Sequence, residues 1–330
     1  MKFHFEFDFR KLAQPINHRH KIMLVGSCFT ENIGEKLRHF KFDLLQNPNG
    51  ILFNPVSVAE SIVRYIENEQ AEEKDLFHFN EAWHSWKHHS RFSAPTAREA
   101  LDKINGSTTR AHQYLREADY LMITLGSAWT YTLTENAMHG KPGSVAANNH
   151  KAPAAWFSRK LLSTDQVLAT LDPVIHRLSA FNPKLNIIFT ISPVRHLREG
   201  VIENNRSKAA LILAVHQLVD KFEGLYYFPA YELVIDDLRD YRFYAEDMVH
   251  PNYAASQYVW EKFTEACLDE KTRRLLEDIH LIRLAHQHKP FNPESEAHKE
   301  FLKRYYEKTK QLTALHPYLD FEKELAYFES

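Results

Sequence analysis

Two side chains that could act as nucleophiles, Ser27 and Cys28, stand next to each other after an apolar run that ends at Gly26. A serine hydroxyl attacks a carbonyl only when a base accepts its proton, whereas a thiol at a helix N-terminus can be activated by a lowered pKa. Ser27 could equally cap a helix, and Cys28 could be a buried packing residue. We favour Ser27, because a side chain one residue past the turn should point into the strand–helix packing.

A candidate base lies more than 200 residues away, in the stretch AEDMVHPN. Asp247 and His250 are three residues apart and can share one turn of chain. His250 would accept the proton of the nucleophile, and Asp247 would orient its ring. The same spacing is also typical of a surface pair. The position of Asp247 and His250 after the last predicted strand is what favours a catalytic role.

Polar residues follow the other predicted strands as well. Arg195 and His196 are candidates for substrate binding, and His196 could serve as an auxiliary base. Trp129 could stack on a sugar ring or belong to the core. The remaining candidates are small or amide-bearing residues near strand ends: Asn49, Gly50, Asn54 and Ser127.

A histidine-rich segment, residues 75–93, holds His84, His88 and His89. The i, i+4 spacing of His84 and His88 is that of zinc ligands on a helix, but no HExxH pattern accompanies it. The sequence favours a hairpin that turns at NEA over a helix that carries zinc ligands. We therefore expect no metal and no cofactor, and His84 and His89 are substrate-lining candidates. Trp83 and Trp86 are expected in the core.

Five short apolar runs alternate with amphipathic helices, which predicts a doubly wound α/β fold with a flavodoxin-like, five-stranded parallel sheet and helices on both faces. Ligands bind at the carboxyl ends of the strands in such sheets. The predicted strands are residues 21–25, 42–47, 120–126, 185–192 and 225–230. Alternating phenylalanines predict a further strand over residues 2–9.

More than 70 residues separate the second and third strands, which predicts an insertion at about 70–105. We expect a sheet domain over 1–263 and a C-terminal helical extension over 264–330. Pro290 and Pro293 should interrupt its helices. These helices could pack on the sheet domain or mediate a homo-oligomer.

The chain has 41 basic and 43 acidic side chains, so a nucleic-acid partner is not expected. Two distant cysteines do not form a disulfide framework, and no apolar run is long enough for a membrane span. The N-terminus lacks the apolar core of a secretory signal. We expect a cytoplasmic protein without membrane contact. A single glycine after the first strand excludes the dinucleotide-binding pattern G-x-G-x-x-G.

Three separated motifs resemble the GSCFA-domain family, a branch of the SGNH (GDSL-like) hydrolase superfamily. They are GSCF at 26–29, SPVRH at 192–196 and EDMVHP at 246–251, in that order. The resemblance covers about residues 20–260. Thr30 stands where the family name has alanine, past the turn.

The resemblance implies a serine hydrolase that cleaves an acyl ester, such as an O-acetyl group on a carbohydrate. Ser27 matches the nucleophile, Asp247 and His250 match the D-x-x-H motif, and the N–H groups of Ser27 and Gly50 would bind the oxyanion. The superfamily asparagine is absent, because Ala128 stands there. Either Ser127, Asn49 or Asn54 substitutes, or the chemistry differs. A catalytically idle ligand-binding module and an acyltransferase remain alternatives.

Overall fold

The computed structural model describes residues 7–329. Its strands, in chain order, are β1 (Lys21–Gly26), β2 (Asp43–Gln46), β3 (Phe77–Phe79), β4 (Ala82–His84), β5 (Tyr120–Leu125), β6 (Trp129–Leu133), β7 (Val145–Ala146), β8 (Phe157–Leu161), β9 (Asn186–Ile191) and β10 (Leu225–Tyr227). Its α-helices are α1 (Cys28–His39), α2 (Pro55–Glu67), α3 (Ala97–Glu117), α4 (Thr164–Phe181), α5 (Val201–Lys221), α6 (Ala230–Glu232), α7 (Tyr253–Cys267), α8 (Glu270–Gln287), α9 (Glu296–Leu315) and α10 (Glu322–Glu329).

A five-stranded parallel sheet in the order β2-β1-β5-β9-β10 forms the centre of the molecule. This is the flavodoxin-like order, and it confirms the predicted fold class and all five predicted strands. Gly26 pairs with Thr124, and Leu125 pairs with Ile191. The carboxyl ends of the three central strands therefore meet at one edge.

Side-chain alternation divides the core into two layers. Met23 and Val25 pack with α2, α3, α4 and α5 on one face of the sheet. Ile22 and Leu24 pack with α1 and α7 on the other. β1 is a continuous apolar run because it is buried on both faces of the sheet.

The predicted N-terminal strand is wrong over the part that the structure describes, since residues 7–12 form no strand; residues 2–6 lie outside the described range. Phe7 and Phe9 contact each other, and Phe9 also contacts Phe228. The alternation thus reflects aromatic packing on the core. The backbone of Leu12 donates to Ala266 and not to a sheet strand.

The long connection between β2 and β5 combines a hairpin and a crossover helix. β3 and β4 are antiparallel and turn at Asn80 and Glu81, as the sequence predicts. The helix α3 begins at Ala97, within the predicted insertion. A second small sheet, β7-β6-β8, follows β5 and was not predicted.

The C-terminal helices α8, α9 and α10 pack around a small apolar cluster of their own that includes Ile279, Leu312 and Phe328. The break between α8 and α9 contains Pro290 and Pro293, as predicted. Lys41 joins this unit to the sheet domain through an ion pair with Glu324 at 2.9 Å. Within residues 7–329, every helix is too short or too polar to cross a membrane.

Candidate active site

Ser27 lies at the carboxyl end of β1 and caps the N-terminus of α1. Its Oγ accepts a hydrogen bond from Phe29 N at 3.3 Å, and its own N–H donates to Thr124 O at 3.2 Å. Gly26 makes this turn possible, because a Cβ there would lie 2.3 Å from Thr124 O. The predicted N-cap and the predicted nucleophile are therefore the same residue.

Cys28 occupies the first helical position and is largely covered. Burial raises the pKa of its thiol, so little thiolate is available near neutral pH. Its environment is that of a packing residue, which supports the choice of Ser27.

Asp247 and His250 form the predicted pair. Asp247 Oδ2 lies 2.7 Å from His250 Nδ1, while Oδ1 accepts the N–H groups of Val249 and His250 at 2.9 and 3.0 Å. Hydrogen bonds from the backbone and side chain of His250 and from the backbone of Val249 lower the pKa of Asp247 to about 2. A carboxylate with a lowered pKa therefore orients the half-exposed ring of His250.

Arg195 attaches this loop to the end of β9. Its N–H donates to Val249 O at 3.1 Å, its guanidinium donates to Met248 O at 3.3 Å, and it stacks over Tyr244 at 4.0 Å. The structure thus brings Arg195 and His250 together. Arg195 therefore braces this loop through its backbone N–H and its guanidinium.

His196 and Ser27 lie on either side of Gly126 at the strand ends. A Cβ placed on Gly126 would be 3.0 Å from His196 Nε2 and 3.3 Å from Ser27 Cβ, so both atoms border the same point. His196 N–H donates to Asn204 Oδ1 at 2.9 Å, and its ring lies against Phe53. Nε2 is buried, with no hydrogen-bond partner among the described residues. Burial lowers the pKa of His196 to about 3, with smaller electrostatic contributions from Lys208 and His250.

The residue that sequence reasoning missed is Lys208. It is fully buried in α5, and its Nζ donates to Gly126 O and Ser192 O, both at 2.6 Å. Burial lowers its pKa to about 7. Lys208 shares the helical spacing of the apolar residues Leu211 and Val215, and a lysine on an apolar stripe was the available signal.

The donors proposed for the oxyanion are largely engaged elsewhere. Gly50 N–H donates to Asn47 O at 2.8 Å, and Asn54 caps α2 while its amide donates to Ser57. Ser127 Oγ accepts Trp129 N–H at 3.1 Å and lies 3.2 Å from Ser207 Oγ. The backbone of Asn49 donates to the Tyr65 hydroxyl, and its buried side-chain oxygen has no partner among residues 7–329.

The histidine-rich segment packs over the loop that follows β2. His89 N–H donates to Asn49 O at 3.0 Å, and a Cβ on Gly50 would collide with His89. Both ring nitrogens of His84 are bonded within the hairpin, to Ser93 Oγ and Phe79 O. His89 therefore borders the strand ends, whereas His84 stabilises the hairpin. The indole of Trp129 donates to Glu203 O at 3.4 Å.

Five elements thus meet at one place, which we call the strand-end rim: the residues that follow β1, β2, β5 and β9, and the loop of Asp247 and His250. Within residues 7–329, no hydrogen bond joins Ser27 to His250. Catalytic hydrogen bonds are often long in the absence of substrate, so this geometry is compatible with a serine–histidine pair. The arrangement offers a buried hydroxyl, an oriented imidazole and a second, neutral imidazole.

The chain matches the GSCFA family over residues 21–263, a range that contains all three motifs. Residues 279–330 match the C-terminal domain of GSCFA domain proteins. No curated protein matches.

Two solved structures are among those similar to this chain. A carbohydrate esterase family 3 protein from Talaromyces cellulolyticus is 11% identical, with a TM-score of 0.36, over 78% of this chain and 99% of that one. The acetyl xylan esterase Est2A from the rumen bacterium Butyrivibrio proteoclasticus is 9% identical, with a TM-score of 0.36, over 76% of this chain and 64% of that one.

Proposed function

The chain belongs to the GSCFA family, and we propose that it is a serine esterase that hydrolyses an acyl ester with Ser27, His250 and Asp247. The observation that carries this proposal is the Asp247–His250 pair, held by Arg195 at the same rim where Ser27 begins α1. An aspartate on one ring nitrogen leaves the other nitrogen free to accept a proton.

The reaction follows from these roles. Ser27 Oγ attacks the ester carbonyl while His250 takes the hydroxyl proton, and Asp247 stabilises the imidazolium that results. His250 then returns the proton to the leaving alcohol, which departs as an acyl–serine ester forms. Water, deprotonated by His250, hydrolyses that ester and restores Ser27.

For the substrate we propose an O-acyl group, such as acetyl, on a carbohydrate, the class that the resemblance implies. Tyr241 supports a sugar ligand, because its ring is 66% exposed beside Arg195, in the segment that leads to His250. An exposed aromatic ring offers an apolar face on which a sugar ring can stack.

The test compares Ser27→Ala with Cys28→Ala on a short-chain p-nitrophenyl ester. We expect Ser27→Ala to lower kcat/KM by roughly 10³-fold or more, and Cys28→Ala to stay within a few fold of the wild type. Thermal melts of both variants check that they fold. Loss of turnover in Cys28→Ala with activity kept in Ser27→Ala would overturn the assignment. A wild type without turnover on any ester would favour a ligand-binding module.

A further inference from the structure

Both backbone donors that the resemblance implies for the oxyanion are engaged in the structure, because Ser27 N–H donates to Thr124 O and Gly50 N–H donates to Asn47 O. Ala128 cannot supply a donor from its side chain. Ser127 Oγ and the Asn54 amide are bonded within the fold, whereas the amide nitrogen of the buried Asn49 makes no hydrogen bond among residues 7–329. A further donor is needed because one such group contributes roughly 10²–10³ in rate.

We infer that His196 is this donor: its Nε2–H hydrogen-bonds the oxyanion that forms when Ser27 attacks the ester. The inference rests on the proposed function and adds a catalytic residue to it.

The geometry that carries it is the placement of His196 Nε2 beside Gly126. A Cβ on Gly126 would lie 3.0 Å from Nε2 and 3.3 Å from Ser27 Cβ, both closer than ordinary van der Waals contact, so glycine lets the two side chains approach the same point. Nε2 is buried and bonded to no described residue. A buried polar atom without a partner costs free energy, which a ligand that accepts its hydrogen bond would recover.

The ring is held in place before substrate arrives. Asn204, itself buried in α5, accepts the backbone N–H of His196 at 2.9 Å, and Phe53 lies against the ring. Lys208 fixes the backbone on both sides, through Gly126 O and Ser192 O. A donor fixed in this way stabilises a developing charge without a reorganisation cost.

The charged groups near each ring indicate that His196 acts as a hydrogen-bond donor and His250 as the general base. Burial, with a smaller contribution from the nearby Lys208, disfavours an imidazolium at His196 and lowers its pKa to about 3. His250 instead has the Asp247 carboxylate at 2.7 Å. A neutral imidazole can donate through Nε2 while His250 performs the proton transfers.

The test measures kcat and KM for His196→Phe, which keeps the ring but lacks a donor, and for His196→Gln, whose amide can donate. We expect His196→Phe to lower kcat about 10²-fold or more with KM within threefold, and His196→Gln to recover at least tenfold of that loss. The acid limb of the kcat/KM profile should be unchanged in His196→Gln. Melting temperatures within a few degrees of wild type show that both variants fold.

Failure of this inference is distinguishable from failure of the proposed function. If Ser27→Ala is inactive but His196→Phe keeps kcat within threefold, only the inference is overturned. If His196→Gln removes the acid limb while His250→Asn keeps it, His196 is the base and the inference is wrong. If wild-type protein neither turns over esters nor reacts at Ser27 with a fluorophosphonate, the proposed function fails, and the inference fails with it.

Discussion

Two regions that hold histidines, the strand-end rim and the histidine-rich segment, use them differently. His84 has both ring nitrogens bonded within its hairpin, and His88 Nε2, which has no partner among residues 7–329, lies in buried packing beside Phe92. At the rim, the half-exposed ring of His250 is paired with Asp247, and His196 Nε2, which likewise bonds to no described residue, lies beside Gly126. The number of histidines in a segment therefore does not indicate a catalytic site. A better indication is a ring nitrogen without a hydrogen-bond partner near the end of a parallel strand.

We expect substitutions at the rim to lower esterase activity and substitutions in the histidine-rich segment to lower stability instead. His250→Asn should lower kcat/KM by about 10²–10⁴-fold, because the base is lost. His84→Ala should leave kcat/KM within threefold but lower the free energy of unfolding by about 1–3 kcal/mol, since Phe79 O and Ser93 lose their partner. Ester kinetics and urea unfolding of both variants check this. An inactive but stable His84→Ala would break the comparison.

A substitution of Lys208 tests whether its two hydrogen bonds hold the backbone of the rim in place. Lys208→Met should lower the free energy of unfolding by about 2–4 kcal/mol, because two buried carbonyls lose their donor. Activity should fall as well, since Gly126 and Ser192 are no longer fixed. The control is Lys221→Met on the same helix, where the side chain is 53% exposed, pairs with Asp172 at the surface and lies over the Phe222 ring. We expect less than about 0.5 kcal/mol there. Equal effects in urea unfolding would contradict the anchoring role.

A third effect concerns acid stability. Burial lowers the pKa of His88 to about 3 and of His150 to about 4. As pH falls below about 6.5, the unfolded chain binds protons at these histidines and the native state does not, so stability is present above 6.5 and is lost below it. Each contributes about 1.4 kcal/mol per pH unit.

The measurement compares urea unfolding at pH 7 and pH 5. His88→Leu should reduce the loss between these values by about 2 kcal/mol while leaving esterase activity within threefold. A pH dependence identical to that of the wild type would contradict this, because it would mean that His88 takes up its proton at the same pH in the native and unfolded states.

The smallest effect lies in the hairpin turn. Asn80 and Glu81 both have positive φ, 46° and 60°, the pattern of a type I′ turn that prefers Asn-Gly. Glu81→Gly should raise the free energy of unfolding by up to about 1 kcal/mol, with activity unchanged. Denaturation curves with Glu81→Ala as control test this, and a stabilised alanine variant would contradict the backbone explanation.

The sequence predicted the central sheet well, because strands buried on both faces are continuous apolar runs between helices with a clear stripe. It also placed Ser27, Asp247 and His250, whose positions follow from the strand ends. It did not predict the β7-β6-β8 sheet, whose half-exposed strands carry weak periodicity. It could not foresee Lys208 or the free nitrogen of His196, because both depend on which carbonyls and side chains meet across the sheet.

Reaction of the wild-type protein with a fluorophosphonate, followed by peptide mass spectrometry, tests whether Ser27 is the nucleophile. We expect one covalent adduct on the peptide that contains Ser27, lost in Ser27→Ala, retained in Cys28→Ala and strongly slowed in His250→Asn. An adduct on another residue, or no adduct on folded protein, would contradict this assignment.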